Sequence, residues 1–245
     1  MKISHIVPVD LLYLIENRDF YMCLANVAYK NQQYKDFYKR KREEGAFVLL
    51  DNGAAENDQM SLNVMWDIIS YINPNEVILS DSLLNKDETL IKSKQSLEFY
   101  QNKGYKGRYM FVPQGKDFKD WTQCYHQFDK SNISTIGLSK FITSGWNEKD
   151  ARYDCCLYLT MHKNDKDVHL LGCHKEIKEE KYIKEDFNFI RSADSAIAYI
   201  YSLNNQLINK GIRPKNKEID FLKNQLDEEQ IKLLERNIKI YDKLS

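Results

Sequence analysis

The chain has 245 residues and a formal net charge of zero, from 36 basic and 36 acidic side chains. Apolar residues make up 42% of it and aromatic residues 12%, which indicates a folded protein with a sizeable core and excludes a disordered tail. The balanced charge excludes the strongly basic character of a small nucleic-acid-binding module, and no window reaches the roughly 18 apolar residues of a membrane helix.

Short apolar runs alternate with amphipathic stretches along most of the chain, a pattern typical of strands that alternate with helices. The predicted strands are His5–Val7, Tyr21–Leu24, Phe47–Asp51, Val77–Asp81, Tyr109–Gln114, Thr135–Leu138, Val168–Leu171 and Phe189–Asp194. The predicted helices cover residues 31–43, 61–72, 86–102, 117–127, 147–161 and 175–183. Eight such strands predict an α/β fold of the (β/α)8 TIM-barrel type. An open doubly wound sheet is the alternative, because the first two strands have the weakest pattern.

After Tyr201 the pattern becomes wholly helical. We therefore predict a catalytic barrel over residues 1–210 and a C-terminal helical extension over residues 211–245, packed on the same domain as a helical hairpin. A dimerisation helix is the alternative, and the oligomeric state is left open. The apolar stripe of this extension comprises Ile219, Leu222, Leu226, Leu233, Leu234, Ile238 and Tyr241.

Six successive predicted strands end in an acidic, amide or glycine residue. The residues are Asp51, Asp81, Gln114, Gly137, Gly172 and Asp194. Strand ends of a barrel converge on one mouth, where catalytic groups of such folds lie. Three carboxylates in one cleft repel each other, so we expect at least one raised pKa and a division of roles among them. Each aspartate taken alone is better explained as a helix cap or turn residue, and Asp51-Asn52-Gly53 is a turn signal. The set as a whole favours an active site.

In order and spacing, these motifs resemble the tRNA-guanine transglycosylase superfamily, and most closely its phage-type branch, which inserts 7-deazaguanine bases into DNA. The resemblance runs from about residue 20 to residue 201. The matching segments are Asp51-Asn52-Gly53-Ala54-Ala55-Glu56, Val77-Ile78-Leu79-Ser80-Asp81, Val112-Pro113-Gln114-Gly115, Gly137-Leu138-Ser139, Leu170-Leu171-Gly172 and Ile190-Arg191-Ser192-Ala193-Asp194-Ser195.

The resemblance implies an enzyme that exchanges guanine for a 7-deazaguanine base without a cofactor. Asp194 matches the nucleophile, which attacks C1′ and forms a covalent aspartyl-glycosyl intermediate, and Asp51 helps to deprotonate the incoming base. The residues implied in base binding are Asn52, Asp81, Gln114, Gly137, Leu138 and Gly172. The implied partners are DNA and a free 7-deazaguanine such as preQ0 or preQ1.

Three alternatives stay open at this point. The first is the same chemistry on tRNA, although the chain is shorter than the tRNA enzymes and lacks their appended RNA-binding domain. The second is an N-glycosidase that removes a base and stops at water. The third is a non-catalytic nucleic-acid-binding barrel.

The tRNA enzymes of this superfamily carry a zinc site of closely spaced cysteines and a histidine. The nearest candidates here are Cys155, Cys156, His162, His169, Cys173 and His174, whose spacing does not fit tetrahedral zinc. We therefore predict no metal. The odd number of cysteines and the lack of a signal peptide predict reduced thiols in the cytoplasm, or in the host-cell cytoplasm if the protein is phage-encoded, and no membrane partner.

A basic stretch with interleaved tyrosines covers residues 29–42. Within it, Lys35, Lys39, Arg40 and Arg42 are the predicted nucleic-acid contacts, because lysine and arginine bind phosphates while tyrosine rings stack on bases. The alternative is a solvated helix face whose tyrosines pack inward. The remaining histidines show no partner pattern and are interpreted as core or surface residues.

Overall fold

The structure is a computed structural model that describes residues 1–54, 60–148, 150–173, 178–208, 214–215 and 219–244, without the side chains of residues 178–180 and 244. Several sequence features lie outside the described residues. They are Ala55 and Glu56 of the first motif, His174 of the zinc candidates, the start of the predicted helix 175–183 and the domain boundary predicted at residue 210.

Eight parallel strands form the centre of the molecule. They are β1 (Lys2–His5), β2 (Phe20–Cys23), β3 (Phe47–Leu50), β4 (Glu76–Ile78), β5 (Arg108–Phe111), β6 (Thr135–Ser139), β7 (Asp167–Leu171) and β8 (Ile190–Ser195). Their order is β1-β8-β7-β6-β5-β4-β3-β2, and the backbone N–H of Met22 donates to Oγ of Ser4 at 2.7 Å between β2 and β1. The sheet is thus a nearly closed barrel. The predicted barrel is confirmed, and the open doubly wound sheet is wrong.

Helices surround this barrel. They are α1 (Ala25–Lys30), α2 (Gln32–Glu43), α3 (Leu62–Ile72), α4 (Lys86–Asn102), α5 (Phe118–Gln127), α6 (Phe141–Gly145), α7 (Ala151–Met161), α8 (Lys178–Asp186), α9 (Ile197–Leu203) and α10 (Glu228–Leu244). The predicted first strand, His5–Val7, is misplaced, because the ladder with β8 pairs Lys2 to His5 with Ser192 to Ser195. Among the described residues, no helix is both long and apolar enough to span a bilayer.

Polar side chains fix where four of the outer helices begin. The side-chain oxygens of Asn31, Ser61, Asn85 and Asp117 each accept a hydrogen bond from the backbone N–H three residues later, at 2.9, 3.4, 3.1 and 2.8 Å. Each bond satisfies a backbone donor that the first helical turn would leave unpaired. The caps at Ser61, Asn85 and Asp117 set the length of loops that run from a strand to the next helix at the barrel mouth, whereas Asn31 separates α2 from α1.

The amino-terminal end of the barrel interior contains a cluster of four charged side chains and one threonine, which we call the basal cluster: Glu76, Arg108, Thr135, Asp167 and Arg191. The carboxylate of Glu76 is fully buried and bonds to Nη2 of Arg191 at 2.5 Å, to Oγ1 of Thr135 at 2.5 Å and to Nε of Arg108 at 3.3 Å. Arg108 also bonds to Asp167. These groups fill this end of the barrel, so the open mouth lies at the opposite end.

A β-bulge interrupts the pairing of β7 with β8. Val168 pairs with Ile190, whereas the next residue, His169, pairs with Ser192, so Arg191 is the extra residue. Regular alternation would turn one of two adjacent side chains outward. Here both side chains point inward, as their bonds show: Arg191 bonds to Glu76, and Ser192 bonds to His169.

The C-terminal extension differs from the predicted helical hairpin. Residues 219–227 are not helical, and α10 begins only at Glu228. The reason is local: Asp227 accepts from the N–H of Gln230 at 2.9 Å while Oε1 of Gln230 accepts from the N–H of Asp227 at 3.1 Å, which together form a capping box. The hairpin prediction is therefore wrong, although the predicted C-terminal helix exists.

An ion pair joins the end of α10 to the first strand. Asp242 accepts from Nη1 and Nη2 of Arg18 at 2.8 and 2.7 Å and lies 2.8 Å from Nε2 of the buried His5. Burial alone would raise the pKa of Asp242, but its hydrogen bonds with His5 and Arg18 outweigh that effect and hold the pKa well below its usual range. The helix is thus anchored to the barrel by a charge-assisted contact.

We expect Asp242→Asn to lower the free energy of unfolding by about 1–3 kcal/mol, because it weakens these charge-assisted bonds. Since folding depresses the pKa of Asp242, its contribution is complete above the unfolded value of 3.8 and disappears as the pH falls below it. The difference in free energy of unfolding between wild type and Asp242→Asn, measured in urea, should therefore become smaller in acid. A difference that does not change with pH would contradict this assignment. Asp19→Asn is the control for the size of this loss, because Asp19 pairs with Lys2 on the surface, where water screens the charges.

Candidate active site

A cavity of about 250 Å³ lies at the carboxyl ends of the strands, opposite the basal cluster. Six of the eight predicted catalytic and base-binding residues line it: Asp51, Asn52, Asp81, Gln114, Gly172 and Asp194. The convergence expected for the strand ends of a barrel is therefore present at this mouth.

The other two, Gly137 and Leu138, are not among the lining residues. A Cβ on Gly137 would lie 2.8 Å from Cγ2 of Val112 and 2.9 Å from Cδ1 of Leu171, so this glycine makes room for two side chains that do line the cavity. Leu138 is fully buried, and alternation along β6 turns it toward the helices, since Thr135 faces the interior. The expectation of a base contact through the Leu138 side chain does not fit this placement.

One wall of the cavity is a hydrogen-bonded set of three polar side chains, which we call the Asp81 edge: Asn52, Asp81 and Gln114. Nδ2 of Asn52 donates to Oδ1 of Asp81 at 2.7 Å and to the carbonyl of Leu79 at 2.7 Å. Nε2 of Gln114 donates to Oδ2 of Asp81 at 2.6 Å. Burial raises the pKa of Asp81 to about 6, against the hydrogen bonds from Asn52 and Gln114, which lower it. The edge therefore holds a buried carboxylate between two amide donors, with a pKa of about 6.

Asp51 lies directly after β3 in a tight turn. The N–H of Gly53 donates to Oδ2 of Asp51 at 3.1 Å, and Gly53 has a φ of 74°, which favours glycine. The backbone N–H of Asp51 continues the ladder to the carbonyl of Cys23 at 2.9 Å. The turn signal read from the sequence is therefore real, and it places a buried carboxylate in the cavity wall.

Asp194, near the end of β8, has its two carboxylate oxygens in different environments. Oδ1 accepts from the N–H of Gly172 at 2.8 Å and lies 3.2 Å from Nε2 of His169. Within the described part of the chain, Oδ2 accepts no hydrogen bond. Gly172 has a φ of 66°, and a Cβ there would lie 2.7 Å from Cδ of Lys140. The loop after β7 thus fixes one of the two carboxylate oxygens.

His169 is the residue that the sequence interpretation missed. It is fully buried, and its two ring nitrogens lie 2.8 Å from Oγ of Ser192 and 3.2 Å from Oδ1 of Asp194. The signal available was its position in the predicted strand: it precedes Leu171 by two residues and so shares the inward face. In the sequence it stands out only as one of the zinc candidates, whereas in the structure both of its ring nitrogens contact protein groups.

The rest of the cavity is largely apolar. Ile6, Ile197 and Ile200 form one side together with Ile219 and Phe221, which come from the non-helical segment before α10. The carbonyl of Phe221 accepts from the N–H of Val9 at 3.0 Å, so the segment is tied to the loop after β1. This contribution was not foreseen, because the sequence interpretation placed Ile219 in a helix.

No model of a known protein family matches the chain, and no curated protein matches its sequence. Its chemistry is therefore inferred from the geometry of the cavity and from the motifs. The geometry provides three carboxylates with three different settings: Asp51 in a turn, Asp81 between two amides, and Asp194 with one oxygen held.

The candidate zinc ligands are separated in space. Cys155 and Cys156 are buried in α7, whereas Sγ of Cys173 donates to the carbonyl of Asp194 at 3.2 Å beside the cavity. Both ring nitrogens of His169 are engaged with protein groups. Among the residues that the structure describes, no group of three histidine, cysteine or acidic side chains could hold a metal ion.

The four basic residues predicted to bind nucleic acid all lie on α2. Arg40 bonds to Glu16 and Glu44, and Nε of Arg42 donates to the carbonyl of Asn73 at 3.1 Å. Lys35 and Lys39 lie over the ring of Tyr71, at 5.1 and 4.5 Å from its centroid. Since Glu16 precedes β2, Arg40 lies toward the amino-terminal end of the barrel.

The tyrosines of the same stretch differ in their exposure to solvent. Tyr34 and Tyr38 are buried, as the alternative of inward packing requires, whereas Tyr29 is exposed. Contact of Lys35, Lys39, Arg40 and Arg42 with nucleic acid stays a prediction. Lys140 is a cation that lines the cavity itself.

Proposed function

We propose that this protein is a transglycosylase that exchanges guanine in DNA for a free 7-deazaguanine base. The observation that carries the proposal is the asymmetric setting of Asp194, whose Oδ1 is held by Gly172 and His169 while Oδ2 accepts no bond from any described residue. The Asp81 edge lines the same cavity. A nucleophile for C1′ and a recognition edge for a purine are the two elements that base exchange needs.

The first chemical step is assigned to Asp194. Its Oδ2 forms a bond to C1′ while the bond from C1′ to N9 of guanine breaks and guanine leaves with the electron pair. Such a centre has oxocarbenium character, so a carboxylate on the face opposite the departing base stabilises it and then captures it. The departing guanine anion takes a proton from solvent water, so the products of this step are a glycosyl ester of Asp194 and free guanine.

The second step is assigned to the incoming base and Asp51. The 7-deazaguanine loses its N9 proton to Asp51 and attacks C1′, and the ester bond to Asp194 breaks, which frees the carboxylate. Two displacements at the same carbon restore its original configuration. Asp51 suits proton transfer because it lines the cavity and is oriented by the N–H of Gly53 at 3.1 Å.

Base recognition is assigned to the Asp81 edge. Guanine presents hydrogen-bond donors at N1 and at its exocyclic amine, and a carboxylate is an acceptor-only group with room for about four bonds. Asp81 lines the cavity and accepts one bond on each oxygen from Asn52 and Gln114, and a carboxylate oxygen can accept more than one bond. 7-Deazaguanine has the same donors on this edge, so one site serves both the leaving and the incoming base.

The size and lining of the cavity limit what enters it. Its volume of about 250 Å³ falls below the 300–1,000 Å³ of sites for drug-sized ligands and suits one base with its sugar. A nucleotide must then leave the stacked helix, so single-stranded or locally opened DNA is the expected substrate. Lys140 at the cavity wall is suited to a phosphate of that strand.

The test is an exchange assay with labelled guanine on single-stranded DNA, duplex DNA and tRNA. Incorporation of label into DNA, lost when unlabelled preQ0 or preQ1 competes, is the expected result. Incorporation of the label into tRNA alone would show that the substrate is tRNA and not DNA. Release of guanine without incorporation would favour an N-glycosidase, and binding without either reaction would favour a non-catalytic barrel.

A pH dependence of substrate binding follows from the Asp81 edge. With a pKa of about 6, Asp81 is ionised above that pH and becomes protonated below it, where it loses acceptor capacity for guanine. We expect KM to rise as the pH falls through about 6, and Asp81→Asn to raise KM about 10- to 100-fold at neutral pH. The variant should lose this pH dependence of KM. A variant that keeps it would show that another group titrates.

A further inference from the structure

A continuous line of hydrogen bonds crosses the barrel interior from the basal cluster to the cavity. It runs from Glu76 through Arg191, Ser192 and His169 to Asp194, at 2.5, 3.2, 2.8 and 3.2 Å. We propose that Ser192 and His169 are positioning residues of a relay that fixes the tautomer of His169 and thereby the carboxylate of Asp194. The inference rests on the base-exchange function proposed above and extends it to residues outside the cavity.

The donors and acceptors of this line permit one consistent assignment for a neutral imidazole. Nε of Arg191 is always a donor, so Oγ of Ser192 accepts from it and keeps its own proton for another partner. That proton is donated to Nδ1 of His169, which leaves the ring proton on Nε2. Nε2–H then donates to Oδ1 of Asp194, where an ionised carboxylate is acceptor-only.

Arg191 can act as the fixed end of the relay because the basal cluster holds it. Its guanidinium bonds to the buried Glu76 at 2.5 Å and to Thr135 at 3.0 Å, and it packs over the ring of Phe47 at 5.0 Å. The β-bulge turns Arg191 and Ser192 inward together, which a regular strand would not do. The bulge is therefore the backbone feature on which the relay depends.

The relay restricts the rotation of the Asp194 carboxylate. A carboxylate held by one oxygen rotates less, so its second oxygen keeps a constant direction toward the cavity. His169 is fully buried and is not a cavity-lining residue, so it does not contact the substrate. Its loss is therefore expected to affect the chemical step and not substrate binding.

The first test is independent of activity. Nitrogen-15 NMR of the histidine rings, with His169 assigned by comparison with His169→Gln, should show an unprotonated Nδ1 and a protonated Nε2 at neutral pH. A protonated Nδ1 in the wild-type protein would overturn the relay. Ser192→Ala should weaken the preference for this tautomer, whereas Ser202→Ala, which removes an equally buried hydroxyl on α9, should leave it unchanged.

The second test uses two amides that differ only in reach. In His169→Gln the amide nitrogen occupies the place of Nε2 and can donate to Asp194, whereas in His169→Asn it occupies the place of Nδ1 and cannot. We expect kcat to fall about 10²-fold in His169→Asn, with KM unchanged, and to stay within about tenfold of wild type in His169→Gln. Both variants replace the same buried ring with an amide, so thermal unfolding of the two measures the purely structural cost.

The two tests separate the inference from the function. An active wild-type protein whose His169→Asn variant keeps full kcat, or in which the two amides lose kcat equally, would overturn the relay and leave base exchange intact. A wild-type protein that exchanges no base on DNA or tRNA would overturn the function. The ring tautomer would then still decide whether the relay exists.

Discussion

Asp194→Asn is expected to lower the turnover of base exchange by about 10⁴-fold, the order of loss seen when a member of a covalent catalytic set is removed. The amide oxygen can still accept from the N–H of Gly172 and from His169, so the substitution keeps the local bonds that hold Oδ1. It removes the negative charge and the nucleophilic oxygen. The fold should therefore persist while the chemistry does not.

The measurement that isolates this step is trapping of the covalent intermediate. Wild-type protein incubated with substrate DNA and no incoming base should form an adduct that mass spectrometry of peptides locates on Asp194. Asp194→Asn should form none. Asp51→Asn is the matched control, because the same substitution in the same cavity should let the adduct form but slow its transfer to the incoming base.

Two outcomes would overturn the assigned roles. An adduct on Asp51 in the wild-type protein would exchange the roles of the two carboxylates. Turnover by Asp194→Asn within tenfold of wild type would exclude a covalent mechanism through this residue. Circular dichroism of each variant shows whether a loss of turnover reflects chemistry or unfolding.

The strand ends were predictable from the sequence because they combine two local signals. An apolar run followed by an acidic or amide residue marks both the end of a buried strand and a polar group at the mouth, and a parallel barrel brings such ends together. Asp51, Asp81, Gln114 and Asp194 all reached the cavity for this reason. Leu138 did not, because side chains on β6 alternate and only every second one faces the interior.

Other features depend on contacts that no local pattern encodes. The basal cluster joins Glu76 to Arg191, which are 115 positions apart, and the bulge that turns Arg191 inward is specified by pairing between two strands. The segment 219–221 looked helical by spacing alone. The capping box of Asp227 and Gln230 starts α10 later, and the bond from Val9 holds Phe221 at the mouth instead.

The basic stretch on α2 shows the limit of composition as a guide to binding. A count of lysines and arginines does not reveal that Glu16 and Glu44 lie close enough to pair with Arg40, or that Tyr71 lies under Lys35 and Lys39. For a basic side chain to contact a phosphate at the cavity, it must lie at the mouth of the barrel and must not be held by a stronger partner. Lys140, an isolated lysine in the sequence, meets the first condition because it lines the cavity.

Glu76→Gln is expected to lower the free energy of unfolding by about 3–5 kcal/mol, the cost of removing one partner from a buried ion pair. Glu76 is fully buried, and its carboxylate is the shared partner of Arg108, Arg191 and Thr135. The amide has nearly the same shape but no charge, so two guanidinium groups would face each other with less compensation. For a chain of this size, the melting temperature should fall by about 10 °C or more.

Asp167→Asn is the matched control for this prediction. Asp167 bonds to Arg108 in the same cluster, but its side chain is 41% exposed, so water screens the lost charge and we expect a change below about 1 kcal/mol. Urea unfolding followed by circular dichroism measures both variants. Equal losses of unfolding free energy in Glu76→Gln and Asp167→Asn would mean that burial does not determine how much a residue of the basal cluster stabilises the fold. Because Arg191 contacts both Glu76 and Ser192, a folded Glu76→Gln protein at low temperature should also show a weakened tautomer preference at His169.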